Sequence, residues 1–302
     1  MTTIITPAHH KKRLEDAIGS LECEVLEIVF KLFPNREVLA RIPEIDRADD
    51  KILLYFPLFP DVNDNLMLLL QTLEIIRYYK SNSDIMVVIP YLSYSRQDKR
   101  FLAGESLSLK VVLDSLSIYD PSYLVVYDVH NIQAVVELSN IPFIHLSLIQ
   151  EILRRALHKL SLESESVLLL SPDKGREFIV RNLAKKFGCT YAVVSKFRDR
   201  NTGEVIFSFS GIDLNVRDFN AIFIVDDEIS TGGTMAGVSR YLVNEGNSEV
   251  YALASHLLLV NNAEHRLKES GIRDIFGSDT VPKPYSIFSV FETFPKLMEF
   301  LK

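Results

Sequence analysis

Near-continuous apolar runs of strand length recur along this 302-residue chain, and segments of helical length separate them. Ile85-Met86-Val87-Val88-Ile89 is one such run and Ile222-Phe223-Ile224-Val225 another. A strand that is apolar at every position suits a parallel sheet covered on both faces, because an antiparallel surface sheet would alternate apolar and polar residues. The pattern predicts strands at 51–56, 84–90, 123–127, 166–170, 191–195, 205–210, 221–225 and 250–255. It predicts helices at 10–18, 63–80, 107–116, 148–159, 176–187, 234–245 and 262–270. Strand and helix in alternation make this an α/β chain with doubly wound sheets. Order and spacing also repeat. Strand, loop, helix and strand over 51–90 recur over 221–255 with different residues, as a duplicated unit would show.

Composition narrows the function classes. The chain is long enough for about two domains, and 47% apolar with 24% charged residues is ordinary for a globular protein. No apolar run reaches the roughly 18 residues of a membrane span. The N-terminus lacks a basic stretch ahead of an apolar core, so a cytoplasmic setting without a signal peptide is expected. Cys23 and Cys189 alone make neither a disulfide framework nor a zinc site. A net charge of −7 argues against nucleic acid as a partner. Small phosphorylated ligands need only a local basic pocket. Glycine is uneven: of 12, only Gly19 falls in the first 103 residues, whereas six fall between Gly203 and Gly246. Glycine serves where backbone turns sharply or approaches a ligand.

That concentration includes Val225-Asp226-Asp227-Glu228-Ile229-Ser230-Thr231-Gly232-Gly233-Thr234. An apolar strand runs into two carboxylates, then a hydroxyl- and glycine-rich turn, then a helix beginning near Thr234. Backbone N–H groups at a helix N-terminus favour phosphate, and the hydroxyls of Ser230, Thr231 and Thr234 add donors. Asp226 and Asp227 at a strand's carboxyl end suit sugar hydroxyls or Mg²⁺ instead. A plainer account is a helix capped by Ser230 or Thr231. The corresponding loop in the first half, Pro57-Leu58-Phe59-Pro60-Asp61-Val62, has no glycine, so only the second half is expected to keep a ligand loop.

The segment resembles the phosphoribosyl-pyrophosphate loop of type I phosphoribosyltransferase-fold proteins. On its own it fits a nucleobase phosphoribosyltransferase as well, and the first half separates the two. Pro90-Tyr91-Leu92-Ser93-Tyr94-Ser95-Arg96-Gln97-Asp98 followed by Gly104-Glu105 resembles a segment of the ribose-phosphate pyrophosphokinases. So do Asp128-Val129-His130, Ser171-Pro172-Asp173-Lys174-Gly175, Lys196-Phe197-Arg198 and Ser278-Asp279-Thr280-Val281-Pro282, in the same order. The resemblance implies two phosphoribosyltransferase-like domains, 1–143 joined by 284–302 and 144–283, each a mostly parallel sheet flanked by helices. It implies transfer of the diphosphoryl group of MgATP to ribose 5-phosphate, in at least a homodimer.

Carried over residue by residue, the resemblance makes Lys196 and Arg198 catalytic. It puts Phe33, Asn35, Arg36, Glu37, Arg96 and Gln97 on ATP, and His130 and Asp173 on Mg²⁺. Ribose 5-phosphate would meet Arg198, Asp226, Asp227, Ser230, Thr231, Gly232, Gly233 and Thr234. Arg200 adds to a basic patch with Lys196 and Arg198, and Gly203 and Gly211 flank a candidate flap. Two positions depart from the family pattern. Asn35-Arg36 stands where Asp-Gly is usual in the adenine segment, and Ser230 stands where bacterial and eukaryotic members commonly carry a third Asp, Ser or Thr there being more like archaeal members. Retention of Lys196, Arg198, His130, Asp173 and Asp226 together argues against an inactive regulatory paralogue.

Overall fold

A computed structural model describes residues 2–19, 21–198, 205–210 and 215–301, with the side chains at 195–198 and 205–210 outside the description. The chain divides into two compact units, Met1–Ser147 with Ser289–Lys302, and Leu148–Phe288.

The first unit contains β1 (Thr2–Pro7), α1 (Ala8–Ile18), β2 (Cys23–Leu32), β3 (Val38–Arg41), β4 (Lys51–Tyr55) and α2 (Val62–Tyr79). It continues through β5 (Asp84–Ile89), α3 (Ser108–Ser117), β6 (Tyr123–Tyr127), α4 (Ile132–Leu138) and β7 (Phe143–Leu146). The second contains α5 (Ile149–Leu160), β8 (Val167–Ser171), α6 (Glu177–Phe187), β9 (Thr190–Arg198), β10 (Val205–Ser210) and β11 (Ala221–Ile229). It ends with α7 (Gly233–Asn244), β12 (Val250–Leu257), α8 (Ala263–Glu269), β13 (Ile272–Ser278) and β14 (Ser286–Phe288). A last helix, α9 (Phe294–Glu299), belongs to the first unit.

Among the described residues the sheets run β3-β2-β1-β4-β5-β6-β7 and β10-β9-β8-β11-β12-β13-β14, so strand n matches strand n + 7 throughout. The internal repeat read from spacing alone is thus a repeat of topology. Each sheet is parallel except for its edge hairpin, β2–β3 or β9–β10. The central runs are buried on both faces: Ile85 to Ile89, Leu124 to Tyr127 and Ile222 to Ile224 have essentially no exposure. In each unit the chain reverses direction across the sheet at one place, between β1 and β4 or between β8 and β11. A crevice opens beyond the carboxyl ends of the strands at such a reversal, where α/β proteins place ligands.

The two reversal points are furnished differently. In the first unit, Phe56 and Leu58 of the loop after β4 turn into the core and are fully buried. In the second, β11 carries on through Asp226, Asp227 and Glu228 to Ile229, four residues beyond the expected end, so that only Ser230-Thr231-Gly232 separates strand from helix. The carboxylates belong to the strand rather than to a loop, because ladder pairing with β12 continues to Leu257.

Several strands escaped the apolar pattern. β1 is central but carries Thr3 and Thr6, both buried, and the Thr3 hydroxyl accepts the Asp49 N–H at 2.8 Å. β2, β3, β7, β13 and β14 are short or mixed with charge.

The C-terminal segment packs on the face of the first sheet. Tyr55 meets Phe291 and Phe294 edge-on at 4.9 and 5.7 Å, and the Tyr127 and Thr293 hydroxyls lie 2.8 Å apart. His10 of α1 closes the cluster, with its ring edge-on to Tyr55 at 5.4 Å. Burial, followed by the charges of His9 and Arg13, pushes the His10 imidazole down to about 4. A histidine kept neutral in the fold but free to protonate when unfolded contributes stability above pH 6.5, lost as pH falls through 4. His10→Gln is expected to flatten that acid loss, which for one such group is roughly 1–3 kcal/mol. Melting temperatures of both proteins between pH 4 and 7 check this, and parallel curves would refute it.

Candidate functional site

In the second unit, polar groups gather where β8 and β11 end. Ser171 closes β8, and its hydroxyl donates to the Asp173 carbonyl at 2.6 Å. Asp173 then caps a single 3₁₀ turn, Lys174–Arg176, its Oδ1 accepting the Gly175 N–H at 2.8 Å, and the turn runs into α6. That turn delivers Arg176 to the end of β11. Its Nη2 donates to Asp227 Oδ2 at 2.8 Å, and its Nε lies 3.3 Å from Asp226 Oδ1. All three side chains are largely enclosed, at 9% exposure for Arg176, 15% for Asp226 and 4% for Asp227. Asp226 Oδ1 also accepts the Asp227 N–H at 2.9 Å, which folds that carboxylate back along the strand. Burial, then the hydrogen bond and charge of Asp227, push the Asp226 carboxyl upward, and Arg176 acts against them.

The turn that follows is held from behind. Gly232, not Ser230 or Thr231, is the residue before α7, with φ +71°, a conformation that glycine adopts without steric cost. Arg266 of α8 donates to the Thr231 carbonyl, and Val260 N–H donates to the Ser230 carbonyl at 3.1 Å. Thr231, Gly233 and Thr234 are exposed, Ser230 is half-buried and Gly232 is buried, so much of the turn is open to solvent. The segment Ser278-Asp279-Thr280 is buried against the end of β12. Ser278 Oγ donates to the Ser255 carbonyl at 2.6 Å, and Thr280 Oγ1 meets His256 Nδ1 at 2.8 Å, locking β12 to β13.

Lys196 and Arg198 lie on β9, extended beyond the expected end at 195, in register with Phe207 and Val205 of β10. Their side chains are outside the description, and Arg200, Gly203 and Gly211 lie outside the described residues.

In the first unit, the loops after β5 and β6 are tied together. Asn131 Nδ2 donates to Asp98 Oδ2 at 2.6 Å, which sets the Arg96-Gln97-Asp98 loop beside the one carrying His130. Asn131 also caps α4 through the Ala134 N–H. Arg96 and Gln97 are exposed and His130 half-buried. Glu105 closes its own turn by accepting the Phe101 and Leu102 N–H groups at 2.7 and 2.9 Å. Residues 33–37 form the tip of the β2–β3 hairpin. There Phe33 N–H donates to the Glu37 carbonyl at 2.8 Å, Asn35 Oδ1 accepts the Glu37 N–H at 3.2 Å, and Arg36 takes φ +70°.

His130 and Asp173 thus lie in different units, and among the described residues no three His, Cys, Asp or Glu side chains gather as a metal cluster. Sequence reasoning missed Arg176, Asn131 and Arg266. Only Arg176 carried a usable signal: an arginine three residues after Asp173, in the turn between β8 and α6.

The two left-handed positions have opposite expectations. A Cβ on Gly232 would also sit 3.1 Å from Leu267 Cγ, so Gly232→Ala should cost about 1–2 kcal/mol or more. Arg36→Gly removes an unfavourable φ and should gain roughly 0.5–1 kcal/mol after the added freedom of the unfolded chain. Denaturant titrations of the two variants check both signs.

Residues 2–119 match the family described as the N-terminal domain of ribose phosphate pyrophosphokinase, and residues 145–286 match the phosphoribosyl transferase domain. The ribose-phosphate pyrophosphokinase of Sulfurisphaera tokodaii is 33% identical over 274 residues, covering 90% of this chain and 91% of that protein. That of Sulfolobus acidocaldarius is 34% identical over 267 residues, 88% of each. The crystal structure of phosphoribosylpyrophosphate synthetase from Mycobacterium smegmatis superposes with a TM-score of 0.78 at 25% identity, covering 100% of this chain and 98% of that one. With both domains matched in order and relatives aligned over nearly its whole length, the chain belongs to the ribose-phosphate pyrophosphokinase family.

Proposed function

We propose that this chain transfers the diphosphoryl group of ATP to the anomeric hydroxyl of ribose 5-phosphate, giving AMP and phosphoribosyl pyrophosphate. The observation that carries the proposal is the end of β11. There a carboxylate pair adjoins a partly solvent-open turn and helix N-terminus at the sheet's reversal point. A sugar phosphate has the complementary chemistry. Its phosphate suits the N–H groups and hydroxyls of Ser230, Thr231, Gly232, Gly233 and Thr234. Its ring hydroxyls suit Asp226, the more open carboxylate, and Asp227.

In the reaction the anomeric oxygen bonds to the β-phosphorus, and the bond from that phosphorus to the α,β-bridging oxygen breaks. The bonding pair stays on AMP and the hydroxyl proton is released. Charge builds on the leaving and equatorial oxygens, so positioned cations are the main catalytic resource. Lys196 and Arg198 take that role, and Arg198 also meets the sugar phosphate. Arg96 and Gln97, together with Phe33, Asn35, Arg36 and Glu37, bind the nucleotide. Magnesium bound to ATP neutralises phosphate charge. Asp173 and His130 would each offer one donor. Mg²⁺ keeps several waters and takes few protein ligands, and an exposed Asp173 carboxylate with one oxygen on Gly175 N–H suits that habit.

The same proposal gives the adenine to a hairpin tip shared with a neighbouring subunit, hence at least a homodimer. Large apolar side chains exposed on that hairpin, Phe30, Leu32 and Leu39, support it. The proposal includes a cytoplasmic location; among the described residues no helix is long and apolar enough to cross a membrane.

Incubation with MgATP and ribose 5-phosphate should yield AMP and phosphoribosyl pyrophosphate in equal amounts. Formation of ADP instead, or pyrophosphate release from phosphoribosyl pyrophosphate and a nucleobase, would overturn the proposal. Lys196→Ala should lower kcat by about 10²–10³ with KM nearly unchanged. An unchanged kcat with a raised KM would remove that role. Sedimentation should find a dimer or larger assembly, and a fully active monomer at high dilution would refute the shared site.

A further inference from the structure

The geometry points to Arg176 as a positioning residue for ribose 5-phosphate: one guanidinium from the β8 side of the reversal point holds both carboxylates of β11 in the pose that receives the sugar. The inference rests on the function proposed above and adds a residue to its site.

Adjacent residues of a strand send their side chains to opposite faces, yet Asp226 and Asp227 reach the same guanidinium, at 3.3 and 2.8 Å. They do so beyond the last β8 pairing, at Ile224, where Asp226 turns its carboxylate onto the Asp227 N–H. Without a cation there, two neighbouring carboxylates in an enclosed site would repel, and would part or take up a proton. Arginine suits the task, since its planar fork contacts two acceptors at once, whereas lysine is a point charge. Such an enclosed ion group contributes little net stability compared with apolar packing, so its physical yield is the fixed geometry. Arg176 also ends the 3₁₀ turn capped by Asp173, and so ties the Asp173 loop to the strand bearing the sugar carboxylates.

The test compares wild type with Arg176→Met, Arg176→Lys, Asp227→Asn and the Arg176→Met/Asp227→Asn double variant, each checked for folding by melting temperature. Arg176→Met should raise KM for ribose 5-phosphate about 10- to 100-fold, the range for losing a charge-assisted hydrogen bond. KM for ATP should move less than about twofold, within the noise of a non-contacting change. Lysine should restore part of the loss, and the methionine change should matter far less once Asp227 is asparagine. An unchanged KM for ribose 5-phosphate, or loss of both substrates in step with a lower melting temperature and no rescue by lysine, overturns the inference. If Arg176→Met does not fold, the Lys variant and calorimetric binding of ribose 5-phosphate without ATP decide it, with unaltered affinity counting against. If wild type makes no AMP yet binds ribose 5-phosphate more tightly than the variant, the reaction fails and the positioning role stands. If wild type does not bind ribose 5-phosphate, both fall.

Discussion

Burial of parallel strands on both faces is the constraint from which the rest of this molecule follows. Strands such as β5 and β6 have no exposed face, so their backbones pair only within the sheet and their side chains must be apolar. Polar chemistry is thereby confined to the strand ends. The winding then selects which ends matter. In each unit the order reverses beside the first strand, and neighbouring loops part there. One topology used twice offers two such crevices. After β4, Phe56 and Leu58 turn into the core, whereas after β11's apolar run come Asp226, Asp227 and the glycine turn.

The charged group in the second crevice illustrates how an α/β sheet tolerates ions near its core. Asp226 lies where desolvation opposes its charge, and Asp227 is close enough to raise the cost of ionising it further. Arg176 offsets part of that cost by reaching across from the β8 loop. Behind the neighbouring turn, Arg266 and Leu267 of α8 constrain Thr231 and Gly232 in the same way, from an element distant in sequence. The groups proposed to meet a ligand are thus held from behind by other elements.

Much of this was legible in the chain. The long apolar runs became central strands, and the 3.6-residue periodic segments became helices within a residue or two. Asp226, Asp227 and the turn after them stood out because strand, carboxylates, hydroxyls and glycines occur together within ten residues. What stayed hidden has a common cause. β1 is central but uses threonine, whose buried hydroxyl needs a partner 46 residues away. β2, β3, β7, β13 and β14 are short or mixed with charge, so their periodicity is weak. β11 extends through three acidic residues only because β12 continues the ladder beside it.

The sequence by itself determined the class of fold, the duplicated order of elements, the family and the turn that suits a phosphate. These properties are local: hydrophobic period, glycine placement and short motifs are carried by neighbours along the chain. Tertiary structure alone decided which residues share a site. Arg176 reads locally as the start of a helix, and Asp226 and Asp227 as the end of a strand, 50 residues later. Only the sheet order, which sets β8 against β11, brings the guanidinium within 2.8 Å of Asp227. Which charge faces which depends on strand adjacency, and adjacency is a property of the folded sheet rather than of any segment within it.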